Sequence, residues 1–448
     1  MKTMIEESKN LPVFGEYDVV IAGGGPSGIA AAASAARHGA RTLLIEHYGF
    51  LGGMGTAGGV TNFAGLYGRH HGEMQQMVHG VVDDLLARLE ALGGLNQPQD
   101  GMQGRIRVRS YDVSAYKCAA DQMLDAAGVQ SLFHACAAGV LMEGEQIAAL
   151  VVETKSGRLA IRGGVFIDCT GDGDVAAHAG VPFVVGDGAG SGLFPTTMFR
   201  VGQVDPEPAL AAIGEFSAIN NFMERAHKQH PDRYRFPREG AILRPQIDPT
   251  EWRANVTQLR NAKGGAMNGV DARQLSEGEK EGRRQIVNYL HFLREQVPGF
   301  EKARIADIAP QVGIRETRRI EGIYALRGED ILDSAQFDDS IGINTWPMEL
   351  HAEGRIDWRF PTDSDRPFND LPWRMLVPRK VQNLLVAGRC ASMTHEGQSA
   401  ARVSGGCFVM GQAAGTAAAQ AGSAPVQAID VARLRRSLVA DGVRIHIE

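Results

Sequence analysis

Apolar positions fall into short continuous runs bounded by glycine-rich turns, the pattern of strands buried on both faces. Tyr17 to Ala22 (YDVVIA) is the first such run. The turn Gly23 to Gly28 follows, then the small-residue stretch Ile29 to Arg37, which reads as a helix ended by Gly39. Arg41 to Glu46 (RTLLIE) predicts a second buried strand. Strand, turn, helix and strand within about thirty residues have the size of one βαβ unit. Val165 to Asp168 (VFID) and Leu384 to Ala387 (LLVA) repeat the buried-strand pattern much farther along.

Between these runs the periodicity changes. Met74, Met77, Val78, Val81, Leu85, Leu86 and Leu89 recur at spacings of three and four, predicting a helix from about Gly72 to Leu92. A Gly/Gln-rich loop, Gly93 to Gly104, precedes a second helix, Tyr111 to Ala127, and a short strand, Leu132 to Ala137. Gln146 to Lys155 and Arg158 to Arg162 flank Ser156-Gly157 as a hairpin. Past Pro195 the chain is richer in charge, proline and tryptophan, with an amphipathic helix at Gln274 to Gln296. Gln398 to Ala421 reads as one long small-residue helix. The expectation is an α/β chain with a Rossmann-like domain in two parts, 1–195 (with a helical excursion about 65–105) and 375–448. An inserted α+β substrate or cap domain, 196–374, lies between them.

Composition narrows the function classes. With 44% apolar and 22% charged residues the chain is an ordinary globular one, and its net charge of −6 with no Lys/Arg run gives a phosphate backbone nothing to bind. The five cysteines are scattered without a C-x-x-C pair, so no disulfide framework, iron–sulfur cluster or metal site is expected. The N-terminal MKTMIEESKN carries acids where a signal peptide needs an apolar core, and Gly23-Gly24-Gly25-Pro26 breaks the apolar stretch Val19 to Ala36 near its start. A cytoplasmic protein without a membrane span is expected.

Three motifs carry chemistry. In Gly23-x-Gly25-x-x-Gly28, the first glycine permits the turn, the second lets a pyrophosphate approach the backbone, and the third lets helix and sheet pack closely. The helix N-terminus offers free N–H groups to the diphosphate, and Glu46, 18 positions after Gly28, ends the second strand where a carboxylate bonds ribose hydroxyls. His47 to Gly55 (HYGFLGGMG) then gives bare backbone against which a flat ring system can lie. Phe166 to Asp174 (FIDCTGDGD) is a buried strand ending in a turn whose acids suit a ligand hydroxyl or a helix cap equally. Asn383 to Arg389 and Thr394 to Val403 form a strand, a Gly-Arg turn and a helix start; Gly405, Gly406, Gly411 and Gly415 follow inside the helix. Each costs about 1 kcal/mol relative to alanine, so close packing must offset them.

Together these segments, with RETRRIEG and DDSIGINTWPMELH, resemble the FAD-dependent oxidoreductase family of the glutathione-reductase-type fold, distantly like fumarate reductase flavoproteins. The resemblance implies FAD, with Gly23, Gly25, Ser27 and Gly28 at the diphosphate, Glu46 at the ribose, and Pro26 and His47 also among the cofactor-binding residues. It implies Gly52, Gly53 and Met54 toward the flavin, Ala137 near the adenine, and Thr170, Gly171 and Asp172 along the cofactor. Gly388, Arg389, Gln398, Ala401, Arg402 and Val403 would close over the ribityl chain and ring.

For the reacting site, His395 precedes the C-terminal helix with Glu396 beside it, and His351 ends the strand-like run Thr345 to Leu350. Arg315 and Arg318 can hold a substrate carboxylate as a bidentate pair. Each has a plainer reading: a helix cap or phosphate ligand for His395, a core histidine for His351, and domain-bridging ion pairs for Arg315 to Arg319. Arg69-His70-His71 lines the pocket or forms a solvated turn. Gly186 to Gly192 runs into Pro195 and not into a helix, so no second nucleotide-binding turn is expected. The expected activity is FAD-linked oxidation or reduction of a small organic molecule by hydride transfer, the electron acceptor or donor being open (oxygen, a quinone, a protein, a nicotinamide cofactor). The alternatives are an FAD-dependent monooxygenase or a non-catalytic electron-relay subunit; whether the chain forms a homo-oligomer is left open.

Overall fold

The computed structural model describes residues 4, 8–188, 192–214, 216–363 and 365–445. Val13–Ala22 runs through a seven-stranded sheet, parallel to Thr42–Ile45 on one side and to Gly157–Asp168 on the other. Gln130–Leu132 continues the parallel run beyond Thr42–Ile45, and Leu384–Val386 pairs parallel with the end of Gly157–Asp168. Val19 to Ala22 and Thr42–Ile45 are buried throughout, as continuous apolar runs between helices require. The chain is thus mixed α/β with a parallel-strand core sheet, and that sheet is antiparallel only where Gly157–Asp168, Gln146–Thr154 and Cys136–Glu143 meander to one edge.

Several elements differ from the sequence reading. The hairpin's second strand and VFID are one strand, because pairing with Val13–Ala22 carries the backbone straight through Gly163-Gly164. The expected strand Leu132 to Ala137 is split at Phe133–Ala135, and its halves, in Gln130–Leu132 and Cys136–Glu143, sit on opposite edges of the sheet. Only Val81–Ala91 of the expected helix 72–92 is helical. Tyr67–His70 and Glu73–Gln76 form a hairpin instead, and Met77 and Val78 donate their N–H groups to the Leu66 carbonyl. A helical spacing of apolar side chains served there to bury the end of a hairpin. Within the expected loop 93–104, Gln99–Gly101 pairs with Ile106–Ser110. The long C-terminal helix is two, His395–Ala401 and Ser404–Ala421, with Arg402-Val403 at the break.

Ser404–Ala421 lies on the helix Pro26–Arg37 at backbone contact. A Cβ on Gly411 would sit 2.1 Å from the Ser27 carbonyl oxygen, and one on Gly415 2.1 Å from that of Ala31. This contact ties the C-terminal segment to the glycine turn.

A second core has its own sheet, in the order Ile242–Pro245, Trp252–Asn255, Phe199–Gly202, Arg304–Ile308, with antiparallel neighbours. Ala272–Gln296 packs there, with Tyr289, Phe292, Trp252 and Phe300 in the core. That core draws on residues between Phe199 and Ala303, whereas Leu326, Ile341, Leu371 and Trp373 belong to the core of the parallel sheet. The stretch 196–374 therefore serves two cores. Residues 189–191 of the Gly186 to Gly192 segment and residues 1–3 and 5–7 of the N-terminal segment lie outside the described residues. Among the described residues no helix is long and apolar enough to cross a membrane.

Candidate functional site

The carboxyl ends of Val13–Ala22, Thr42–Ile45 and Gly157–Asp168 open into one cavity of about 310 Å³, where open parallel sheets bind ligands. Its wall runs from Gly23 and Ser27 to Arg253 and Asn255 of the second sheet.

At the turn, Gly23 has φ +100°, and a Cβ on it would meet the Cys169 carbonyl oxygen at 2.4 Å. A Cβ on Gly28 would fall 1.8 Å from the Gly23 oxygen, so Gly28 is a packing position and does not line the cavity. Gly25 has no neighbour closer to its Cβ position than Gly53 Cα at 3.7 Å, leaving bare backbone beside the cavity. Among the described residues no side chain caps the helix Pro26–Arg37, so its first N–H groups remain for an anion.

Glu46 is buried beneath this turn. Gly24 N–H donates to its Oε2 at 2.7 Å, Tyr48 N–H donates to Oε1 at 3.0 Å, and His47 pairs with it at 2.8 Å. Burial alone would raise its pKa, but His47 and the two N–H groups hold it below the usual carboxylate range. An ionised acceptor with lone pairs to spare, next to bare backbone and an uncapped helix start, fits a dinucleotide's ribose and diphosphate.

The remaining expected cofactor residues divide. Pro26, Ser27, His47, Gly53, Met54 and Ala137 line the cavity, as do Thr170, Gly171, Asp172, Arg389, Arg402 and Val403. Asp172 accepts from Thr317 Oγ1 at 2.7 Å and from Arg389 Nη2 at 3.0 Å, which fixes both at the wall. Gly52, Gly388, Gln398 and Ala401 stand behind it. Gly52 N–H donates to the Gly24 carbonyl, Gly388 packs on Ser27, and Gln398 Nε2 donates to the Arg389 carbonyl at 3.0 Å. Ala401 is fully buried where Gly406 crosses it.

Of the expected reacting residues, His351 and Arg315 line the cavity and His395 does not. His395 Nδ1 lies 2.9 Å from Glu316, which also pairs with Arg319, so His395 belongs to a polar cluster behind the wall. Arg318 is engaged by Asp174 at 2.7 Å, apart from Arg315, and the two form no clamp. Arg69 donates to the Gly72 and Gly104 carbonyls outside the cavity lining.

His351 is buried on the strand Met348–Ala352, two residues from Glu349, and its Nε2 stands 3.0 Å from Glu349 Oε1. Trp346 Nε1–H donates to Glu349 Oε2 at 3.0 Å. Burial, then the Arg315 guanidinium, push the His351 pKa well below its ordinary value, so the imidazole is neutral. Burial opposes ionisation of Glu349 as well, yet the hydrogen bond from His351 and the Arg402 and Arg315 guanidiniums hold its carboxyl below the usual carboxylate range. A neutral imidazole thus donates Nε2–H to a carboxylate, and its Nδ1 has no hydrogen-bond partner among the described residues.

Sequence reasoning missed Glu349, Trp346, Arg244, Arg253 and Asn255, all of which line the cavity. The signal available was an arginine or asparagine inside short runs otherwise apolar, ILRP and WRAN, buried when the strands form.

Among solved structures, the chain resembles a geranylgeranyl bacteriochlorophyll reductase-like protein from Thermoplasma acidophilum (13% identity, 95% of this chain and 83% of that one, TM-score 0.46). It also resembles p-nitrophenol 4-monooxygenase from Pseudomonas putida DLL-E4 (12%, 94% and 81%, TM-score 0.45). A third is the myxobacterial chondrochloren halogenase, an FAD-dependent halogenase (13%, 95% and 78%, TM-score 0.44). The family model described as FAD dependent oxidoreductase matches residues 18–438. The chain therefore belongs to the FAD dependent oxidoreductase family and is an FAD-dependent oxidoreductase.

Proposed function

We propose that this enzyme oxidises or reduces a small organic substrate at the His351–Glu349 end of the cavity, by hydride transfer to or from FAD bound along the glycine turn. The cofactor-binding part is taken to be of glutathione-reductase type, with the sheet Phe199–Ile308 inserted as a substrate module. The observation that carries this reading is a single cavity joining the Gly23–Ser27 turn to a buried imidazole–carboxylate pair. The bound flavin supplies the two-electron chemistry. Glu349 is a positioning residue that fixes the imidazole tautomer, and His351 Nδ1 takes the substrate's proton as the hydride leaves. Arg315, donating to the Phe194 carbonyl and to Asn255 Oδ1, holds the wall beside them.

Two outcomes test the parts. Glu46→Ala should weaken FAD retention without unfolding the chain, since one ionised acceptor is lost at a strand end; flavin content per protein, measured after extensive dialysis, would be unchanged if Glu46 did not hold the ribose. The pH profile of kcat/KM for flavin reduction reports the free enzyme's base. A base must be unprotonated, so activity rises with pH through its pKa; because that of His351 is lowered, the acid limb should lie below about 6.5, the ordinary histidine value. A limb at or above that value would place the proton elsewhere. NAD(P)H-driven oxygen uptake yielding a hydroxylated product would instead support the monooxygenase reading.

A further inference from the structure

The sheet of the second core sets arginines in a row. Arg244 stands directly opposite Arg253 in one antiparallel pair, and Arg253 directly opposite Arg200 in the next. Directly opposed residues share a face, and like charges so placed destabilise a sheet. Arg200 is neutralised by Glu251 at 2.9 Å and Asp307 at 3.7 Å. Arg253 is not. It is 6% exposed, and among the described residues its one hydrogen bond runs to Met198 Sδ at 3.5 Å.

The same end of the cavity holds two more cations. Among the described residues Arg315 donates only to neutral oxygens, and Arg402 has Nε and Nη2 buried without a hydrogen-bond partner. Against Arg253, Arg315 and Arg402 the lining there offers, among the described residues, one carboxylate, Glu349. Burial, then the opposing Arg244, push the Arg253 pKa down to about 9, further than the Glu349 charge offsets. Buried charge without a partner is strongly unfavourable, and an anion removes that cost. Apolar surface adjoins these cations: Arg244 Nη2 and Ile106 lie 3.0 and 3.2 Å from where a Cβ on Gly101 would be, and Ile106, Val108 and Trp346 form one cluster.

We infer that the substrate is a small organic acid whose carboxylate is held by Arg253 and Arg244 while its apolar body lies against Ile106, Val108 and Trp346. This rests on the proposed reading of the cavity as the reacting site. The clamp fixes one end of the molecule on the second sheet, leaving the carbon between the clamp and His351 as the one presented for oxidation or reduction. Arginine suits this task because its planar fork matches a carboxylate in two hydrogen bonds.

The test is titration of the oxidised FAD-loaded protein with butanoate, benzoate and phenylacetate, each beside its uncharged amide, following the flavin spectrum. At least one acid should bind saturably and about 10- to 100-fold more tightly than its amide, the range of one charge-assisted contact. No acid binding more tightly than its amide overturns the inference. Arg253→Met should weaken acid binding by a similar factor, Arg253→Lys by less, and the Met variant without acid should be as heat-stable as the parent or more so, since an unpaired buried cation is gone. A Met variant that loses stability, or binds acid as before, returns Arg253 to a structural role. His351→Ala should bind the acid normally, so normal flavin reduction in a tight-binding His351→Ala protein sinks the reaction reading while leaving the clamp.

Discussion

His351→Ala is expected to slow substrate-dependent flavin reduction by about 10²- to 10⁴-fold, the usual contribution of a positioned acid or base, with flavin content unchanged. The size follows from the geometry: the imidazole is the neutral side chain at that end of the cavity whose protonation state Glu349 and the surrounding arginines both set. Folding should survive, because Glu349 keeps the Trp346 N–H and the Arg315 and Arg402 charges around it. Anaerobic stopped-flow at 450 nm, about where oxidised flavin absorbs, separates reduction from any later step. Glu349→Gln should give a smaller loss, since the amide can still meet Nε2 but no longer favours an imidazolium as the proton arrives. A His351→Ala protein reduced at the parent rate would make His351 the core histidine that its burial equally suits.

Gly411→Val should be strongly damaging although it lies away from the cavity. Its Cβ would lie 2.1 Å from the Ser27 carbonyl oxygen, a backbone atom at the start of the helix Pro26–Arg37, so no rotamer relieves the clash. Overpacking of this kind costs about 1–3 kcal/mol, and the displaced helix takes the Gly23–Ser27 turn with it. Lower thermal stability and lower flavin content should appear together, measured by scanning calorimetry and absorbance. Loss of stability with full flavin content would show that the helix contact and the turn are mechanically separate.

How far the sequence reached is clearest from particular residues. The Gly23–Gly28 turn, its two strands and Glu46 were legible because each depends on its immediate neighbours: a glycine with φ +100°, a continuous apolar run, an acid at a strand end. The glycines of the C-terminal helix were legible as packing positions, but their partner, the backbone of Pro26–Arg37, was not, since nothing local names a contact nearly four hundred positions away. Local pattern misled at 72–92, where helical spacing was spent on a hairpin, and at Phe133–Ala135, where one apolar run feeds two edges of a sheet.

The reacting end shows the same division. His351 and Arg315 were candidates from sequence, and so was His395, which stands equally well placed in the chain order but behind the wall. Arg244 and Arg253 gained their meaning only when antiparallel register set one opposite the other, and Glu349 when Trp346 and His351 turned to it. The sequence by itself determined the Gly23–Gly28 turn, because bare backbone and helix ends are properties of neighbouring residues. Which charges meet in the cavity, and which are left without a counter-ion, was decided by the tertiary structure alone, because burial and strand register bring together residues that the chain keeps apart.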